Sequence, residues 1–237
     1  MTTQTQDMMK VNTQQRNRTM IGIVIVIAIV GVLAIILLPN LFGSGLTDYS
    51  GLGQTRLPDG GFVIGNPNAN VTLIEFADYS CPACQSYLPT MDRFFEEYVK
   101  TGKAKFEYRI FPTHGGETTR YMGQMVECFE EQKPGSFWVA KDLLFQSSMR
   151  GRYDETTART VANQLGVDYS TALVCADDAQ QVDMDVEFGR NLGVQSTPAV
   201  LVRYGDSTPQ FITYNGQQFS RGGAPYEAIQ AAVEAGI

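Results

Sequence analysis

The pattern of apolar and polar positions changes sharply along this chain. Residues 1–19 are polar, with Lys10, Arg16 and Arg18 against a lone Asp7. Residues 20–38 contain no charge and are dominated by Ile, Val and Leu. At about 1.5 Å per helical residue that run nearly matches the ~30 Å hydrocarbon core of a bilayer, so it predicts one membrane-spanning helix. A buried core helix is the competing reading, disfavoured by uninterrupted apolarity over this length. A cleaved signal peptide is the alternative, but it calls for a shorter apolar core and a small-x-small site, and none is evident in Leu37-Leu38-Pro39-Asn40-Leu41-Phe42. The expectation is an uncleaved signal anchor, with the basic tail 1–19 cytoplasmic and the C-terminal bulk outside. Residues 39–60, with Gly43, Gly45, Gly51, Gly53, Pro58 and Gly60, read as a flexible linker, and residues 61–237 as the folded domain.

Within that domain, residues 61–65 predict a short strand. Residues 71–76, almost continuously apolar, predict a central strand buried on both faces. Residues 85–100 set Leu88, Met91, Phe94, Phe95 and Tyr98 at helical spacing, and Thr101-Gly102 ends that helix. Residues 103–111 alternate, with Phe106, Tyr108 and Ile110 against Lys105, Glu107 and Arg109, until Pro112 stops the strand. Strand, helix, strand makes a βαβ unit with a right-handed crossover. Residues 114–192 turn helical, in pieces over 118–132, 135–149, 154–165, 169–175 and 177–192, with Trp138 and its aromatic neighbours read as core. Residues 193–202 return to sheet, and 210–214 and 217–220 flank the turn Asn215-Gly216. Pro225 opens a last helix through residue 235. The fold class is α/β.

Between the central strand and the first helix stands Cys81-Pro82-Ala83-Cys84. Strand, Cys-x-x-Cys, helix is the context in which this spacing reads as a redox pair. Pro82 suits the first helical position, where an N–H has no partner anyway. Cys81 then lies at the helix N-terminus, where free amides and the macrodipole favour a thiolate, and Cys84 lies one turn further in. The alternatives are a structural disulfide or half of a zinc site. Zinc would need further ligands, and the chain offers two scattered cysteines and one histidine. Glu75 interrupts the apolar strand, and a carboxyl there is costly unless it is paired or protonated. It is read either as a buried functional acid or as the cross-strand partner of Lys105 or Arg109.

The segment Glu75-Phe76-Ala77-Asp78-Tyr79-Ser80-Cys81-Pro82-Ala83-Cys84 resembles the active-site segment of DsbA-like thiol–disulfide oxidoreductases of the thioredoxin superfamily. The likeness continues to Thr197-Pro198 and covers roughly residues 61–237. It implies a thioredoxin fold, βαβ and ββα halves, with a helical subdomain inserted at about 114–192. It implies that Cys81 and Cys84 are catalytic and that Glu75 sits beneath the disulfide and helps move protons. Thr197 and Pro198 would form a cis-proline dipeptide facing the cysteines, lining the substrate site together with Pro82 and Ala83. Members of this family often carry a histidine soon after the strand that matches 103–111, which makes His114 a candidate, although loop histidines are commonly just solvated. By the same resemblance, a quinone-linked membrane oxidoreductase would recycle the pair. One departure matters: strongly oxidising members carry histidine immediately before the second cysteine, where this chain has Ala83.

A hydrophobic content of 43% with 18% charged residues is that of a globular protein, and the net charge of −7 argues against nucleic acid as a partner. The remaining cysteines, Cys128 and Cys175, both fall in the helical block. An oxidising compartment favours a structural disulfide between them. Closing a loop of about 48 residues would stabilise by roughly 4 kcal/mol in the chain-entropy model. Two separate buried thiols are the alternative. The sequence therefore predicts a membrane-anchored, extracytoplasmic thiol–disulfide oxidoreductase that introduces disulfides into cysteine-containing secreted or surface proteins. This chemistry requires no metal or organic cofactor. A reductase or isomerase of the same fold is one alternative, and a tethered binding or chaperone-like module with structural cysteines is another.

Overall fold

A strand that is buried at every position, β3 (Val71–Ala77), is the centre of the domain. In the computed structural model, which describes residues 46–237, it lies between β4 (Ala104–Ile110), paired parallel, and β5 (Ala199–Tyr204), paired antiparallel. β2 (Phe62–Gly65) continues the sheet beyond β4, and the edge strands β1 (Gln54–Arg56) and β6 (Gln210–Phe211) complete the order β1-β2-β4-β3-β5-β6. A separate hairpin, β7 (Thr213–Tyr214) with β8 (Gln217–Gln218), forms around the expected turn.

Helix α1 (Pro82–Phe94) leaves the end of β3 and runs through the internal Pro89 into a wider last turn, Phe95–Val99. There the Lys100 amide donates to Phe95 O at 2.9 Å. The inserted block is α2 (Gly116–Gln132), α3 (Ser136–Met149), α4 (Glu155–Leu165), α5 (Tyr169–Ala176) and α6 (Gln181–Asn191), and α7 (Tyr226–Glu234) closes the chain. A disulfide joins Cys128 in α2 to Cys175 in α5, with Cα atoms 5.9 Å apart.

Strand alternation decides which helix each face meets. Leu73 and Glu75 share a face with Phe106 and Tyr108, their register partners on β4. Phe94 of α1 and Trp138 and Phe137 of α3 pack there against Phe106 and Tyr108. Trp138 is buried and belongs to this core, as its aromatic setting predicted. The opposite face carries Phe76 and Arg109, both against Phe188 of α6.

The tails fared differently. The expected cytoplasmic tail 1–19 and spanning helix 20–38 lie outside the described residues. Among the described residues no helix is long and apolar enough to cross a membrane. The linker expected over 39–60 is corrected in its later part, because residues 47–60 are packed onto the domain. Tyr49 is buried, edge-on to Phe95, and its hydroxyl donates to Asp142 at 3.0 Å. Residues 54–56 pair with β2, and Asp59 holds the buried Arg109 guanidinium at 2.9 Å. Just beyond that segment Gly61 serves close approach, since a Cβ there would run into the Arg109 guanidinium.

Candidate active site

The end of β3, the start of α1 and the entry to β5 meet at one point. Cys81 is the N-cap residue of α1 and Pro82 occupies the first turn. The Cys81 amide donates to Asp78 O at 3.1 Å, which fixes the turn between strand and helix. Both cysteines are free thiols. They are unequal in access: Cys84 is fully enclosed, whereas Cys81 keeps 7% of its surface, beside the exposed Pro82 and Ala83. Burial pushes the Cys84 thiol well above its ordinary pKa, and the nearby Glu75 adds to that rise.

Across from the pair, the Thr197–Pro198 peptide is cis. Cys81 Sγ lies 3.5 Å from Thr197 O, so the dipeptide faces the outer cysteine. The loop 221–224 braces it. The Gly223 amide donates to Pro198 O at 3.0 Å, and Tyr87 of α1 donates to Ala224 O at 2.5 Å. Gly223 is in the left-handed region (φ +77°), and a Cβ there would meet the Tyr87 ring at 2.6 Å.

Glu75, on β3, is 3% exposed, and its charge is among those that act on the Cys84 thiol. Burial pushes its carboxyl up to about 7, with Lys141 pulling down and Asp92 pushing further up. The cross-strand pairing with Lys105 or Arg109 does not form. Lys105 is opposite Thr72 and Arg109 opposite Phe76, so both project from the other face of the sheet. Arg109 instead holds Glu107, Asp185 and Asp59. Lys141 of α3 faces Glu75's side of the sheet, 5.8 Å from the Tyr108 ring centre, and ion-pairs with Asp142 at 2.6 Å. Burial works to lower its pKa, but Asp142, Tyr49 and Glu75 hold it above its ordinary value. Tyr79 and Tyr108 stack nearby, their buried hydroxyls without a partner among the described residues.

Asp78 is a second buried carboxyl, and no cation is paired with it among the described residues. Ser80, Thr113, Gly115 and Thr119 all donate to it. Burial opposes its charge, but those hydrogen bonds hold its pKa below the usual carboxylate value. Thr113 in turn contacts Thr197, Oγ1 to Oγ1 at 2.6 Å. Asp78, Thr113 and Lys141 did not stand out in the sequence as site residues. Their donors and neighbours come from separate segments, and only the charged pair Lys141-Asp142 within the apolar stretch 137–145 was a signal. His114 is exposed in the Thr113 loop, and no hydrogen bond joins it to the cysteines. Cys81, Cys84, Glu75, Thr197 and Pro198 come together, whereas Cys128 and Cys175 lie apart in the inserted helices.

Residues 58–215 match a family model described as thioredoxin. The chain is 27% identical over 158 residues to the Probable disulfide bond formation protein D of Bacillus anthracis, covering 62% of this chain and 72% of that one. It is 25% identical over 154 residues to Disulfide bond formation protein D of Bacillus subtilis, covering 59% and 66%. In structure it is similar to oxidised BdbD from Bacillus subtilis, with TM-score 0.59 and 23% identity over 73% of this chain and 90% of that one. It is also similar to α-DsbA1 from Wolbachia pipientis, with TM-score 0.60 and 20% identity over 76% and 92%. At these identities the structural likeness speaks for the fold.

Proposed function

Because this chain belongs to the DsbA-like thioredoxin-fold oxidoreductases and is a thiol–disulfide oxidoreductase, we propose that it introduces disulfides into secreted or surface proteins from a membrane-anchored position outside the cytoplasm. The apolar run 20–38 and its basic flank support the anchor. The relatives' names support the direction of electron flow. The observation that carries the reading is the unequal pair: a reachable Cys81 on a helix N-terminus facing a cis-proline peptide, with an enclosed Cys84 behind it.

In the oxidising direction, a substrate thiolate attacks the Cys81 sulfur of the Cys81–Cys84 disulfide. The S–S bond breaks, and Cys84 leaves and takes up a proton. Its enclosed site disfavours the thiolate, and Glu75, which holds a proton up to about pH 7, is the group placed to supply one. A second substrate thiol then loses its proton and attacks the substrate sulfur of the mixed disulfide, and Cys81 departs. The substrate dithiol has lost two electrons and two protons, and the enzyme pair has gained them. Negative charge on the departing Cys81 is favoured by the free amides of the helix end, which assists donation of the disulfide. Thr197, Pro198, Pro82 and Ala83 line the substrate side. A quinone-linked membrane oxidoreductase is the recycling partner by family resemblance.

Single-cysteine variants test the roles. Cys84→Ala should accumulate mixed disulfides through Cys81, seen on non-reducing gels with mass identification of the linked cysteine, because nothing remains to resolve them. Cys81→Ala should trap little. Equal trapping by both, or trapping only through Cys84, would reverse the assignment.

A further inference from the structure

The Asp78 carboxylate has more donors than strong acceptor positions. Oδ2 receives the Thr113 and Gly115 amides, each at 2.8 Å. Oδ1 receives the Ser80 amide at 2.9 Å and the Thr119 hydroxyl at 2.6 Å. Those contacts fill the roughly four lone-pair sites of a carboxylate. The two hydroxyls left over, Ser80 Oγ at 3.2 Å and Thr113 Oγ1 at 3.4 Å, are held at longer range than the ~2.5–2.7 Å of a strong hydroxyl–carboxylate bond. Thr113 Oγ1 has a far shorter contact, 2.6 Å to Thr197 Oγ1, in which either oxygen could donate.

The crowding at Asp78 decides the direction. With Oδ2 occupied, the Thr113 proton goes to Thr197 Oγ1, and the Thr197 hydroxyl proton is released to point away from Thr113. Cys81 lies against that residue, its Sγ 3.5 Å from the Thr197 backbone carbonyl, to which the thiol donates. A side-chain hydrogen bond from Thr197 is also among the influences that favour the Cys84 thiolate against its burial. We propose that Thr113 is a positioning residue of the active site, whose hydroxyl turns the Thr197 hydroxyl toward the cysteines and so gives the reduced pair a hydrogen-bond donor. A donor to sulfur stabilises the reduced form and makes the disulfide a stronger oxidant. Thr113 lies in an exposed loop, so removing its hydroxyl opens no core cavity.

This inference rests on Cys81–Cys84 being the redox pair, and the measurement separates the two. The full chain is equilibrated with glutathione buffers, and the dithiol fraction is read by alkylation and mass. Thr113→Val should shift the equilibrium about fivefold toward the disulfide, Thr113→Ser should restore it, and Thr197→Val should shift it in the same direction. The double variant Thr113→Val with Thr197→Val should shift it no further than Thr197→Val alone. Thr113→Ala serves in place of the valine variant if that one does not fold. A Thr113→Val equilibrium within about twofold of wild type overturns the inference, as does a double variant whose shift equals the product of the singles, or failure of serine to restore the equilibrium. Failure of the underlying functional reading looks different: the wild-type pair itself would not equilibrate with glutathione.

Discussion

Two buried carboxyls three residues apart, Glu75 within β3 and Asp78 just beyond it, sit in opposite surroundings. Both are at most 3% exposed. Asp78 is ringed by amides and hydroxyls from its own turn, the 113–115 loop and α2, and is held charged. Glu75 has no hydrogen bond or ion pair among the described residues, and burial holds its proton to about pH 7. Burial alone therefore does not decide what an acid does; the supply of donors does. A saturated carboxylate is a fastener, joining the cysteine turn to α2 and, through Thr113, to the cis-proline loop. An unsatisfied one is, in the mechanism proposed above, the acid that exchanges a proton with the enclosed Cys84.

Replacing the fastener should cost the most. Asp78→Asn puts an amide against one of the two donor sets, Thr113 and Gly115 or Ser80 and Thr119, whichever way it is turned. Donors left without an acceptor cost about 1–3 kcal/mol each, so a loss of roughly 3 kcal/mol in urea unfolding is expected. A variant as stable as wild type would show that the ring of donors does not hold the charge.

Glu75→Gln should show a smaller effect of the opposite kind. The unfolded side chain loses its proton near its ordinary value of 4.5 and the folded one near 7. Between those values the folded state holds more protons, so stability that is present below pH 4.5 is lost as pH rises toward 7. Wild type should lose about 2.5 kcal/mol across that window from this group, and the glutamine variant should lose that slope. The same variant should slow the proton-dependent release of Cys84, read by stopped-flow reduction at pH 6. An unchanged pH slope of stability would mean that Glu75 is not the acid with the raised value.

What the sequence made legible follows from the range of each interaction. The strand, the Cys-x-x-Cys turn and the helix are coded within neighbouring residues, by an apolar run, Pro82 at the helix start and apolar side chains at helical spacing. Thr197-Pro198 was legible through resemblance, since nothing local in that dipeptide requires a cis bond. The docked segment 47–60 was not legible. Its strand, Gln54-Thr55-Arg56, is exposed throughout, carries no alternation and joins the sheet through backbone pairing. The Glu75 alternative was decidable only once the register was known, because one residue of slip changes which face Arg109 takes. Asp78 draws donors from up to 41 positions away, and no spacing rule anticipates that.

Lys141 gives the finest test of the contrast, because among the described residues it is the cation that acts on Glu75, and it does not touch Asp78's donors. It projects from α3 to the face of the sheet that carries Tyr108 and Glu75, and its ion pair is with Asp142. Asp142 is also held by the Tyr49 hydroxyl and the Thr47 amide, so it keeps partners when the lysine is removed. Lys141→Met retains the apolar stem and deletes the charge that pulls the Glu75 carboxyl down. The end of the Glu75-dependent stability slope should therefore move above pH 7 by less than about one pH unit, worth about 1 kcal/mol at pH 8. Measured as unfolding midpoints from pH 4 to pH 9, that displacement should vanish when Lys141→Met is combined with Glu75→Gln. A displacement that survives in the double variant would assign the effect to Asp142 or Asp92 instead, and would remove Lys141 from the proton-handling side of the comparison.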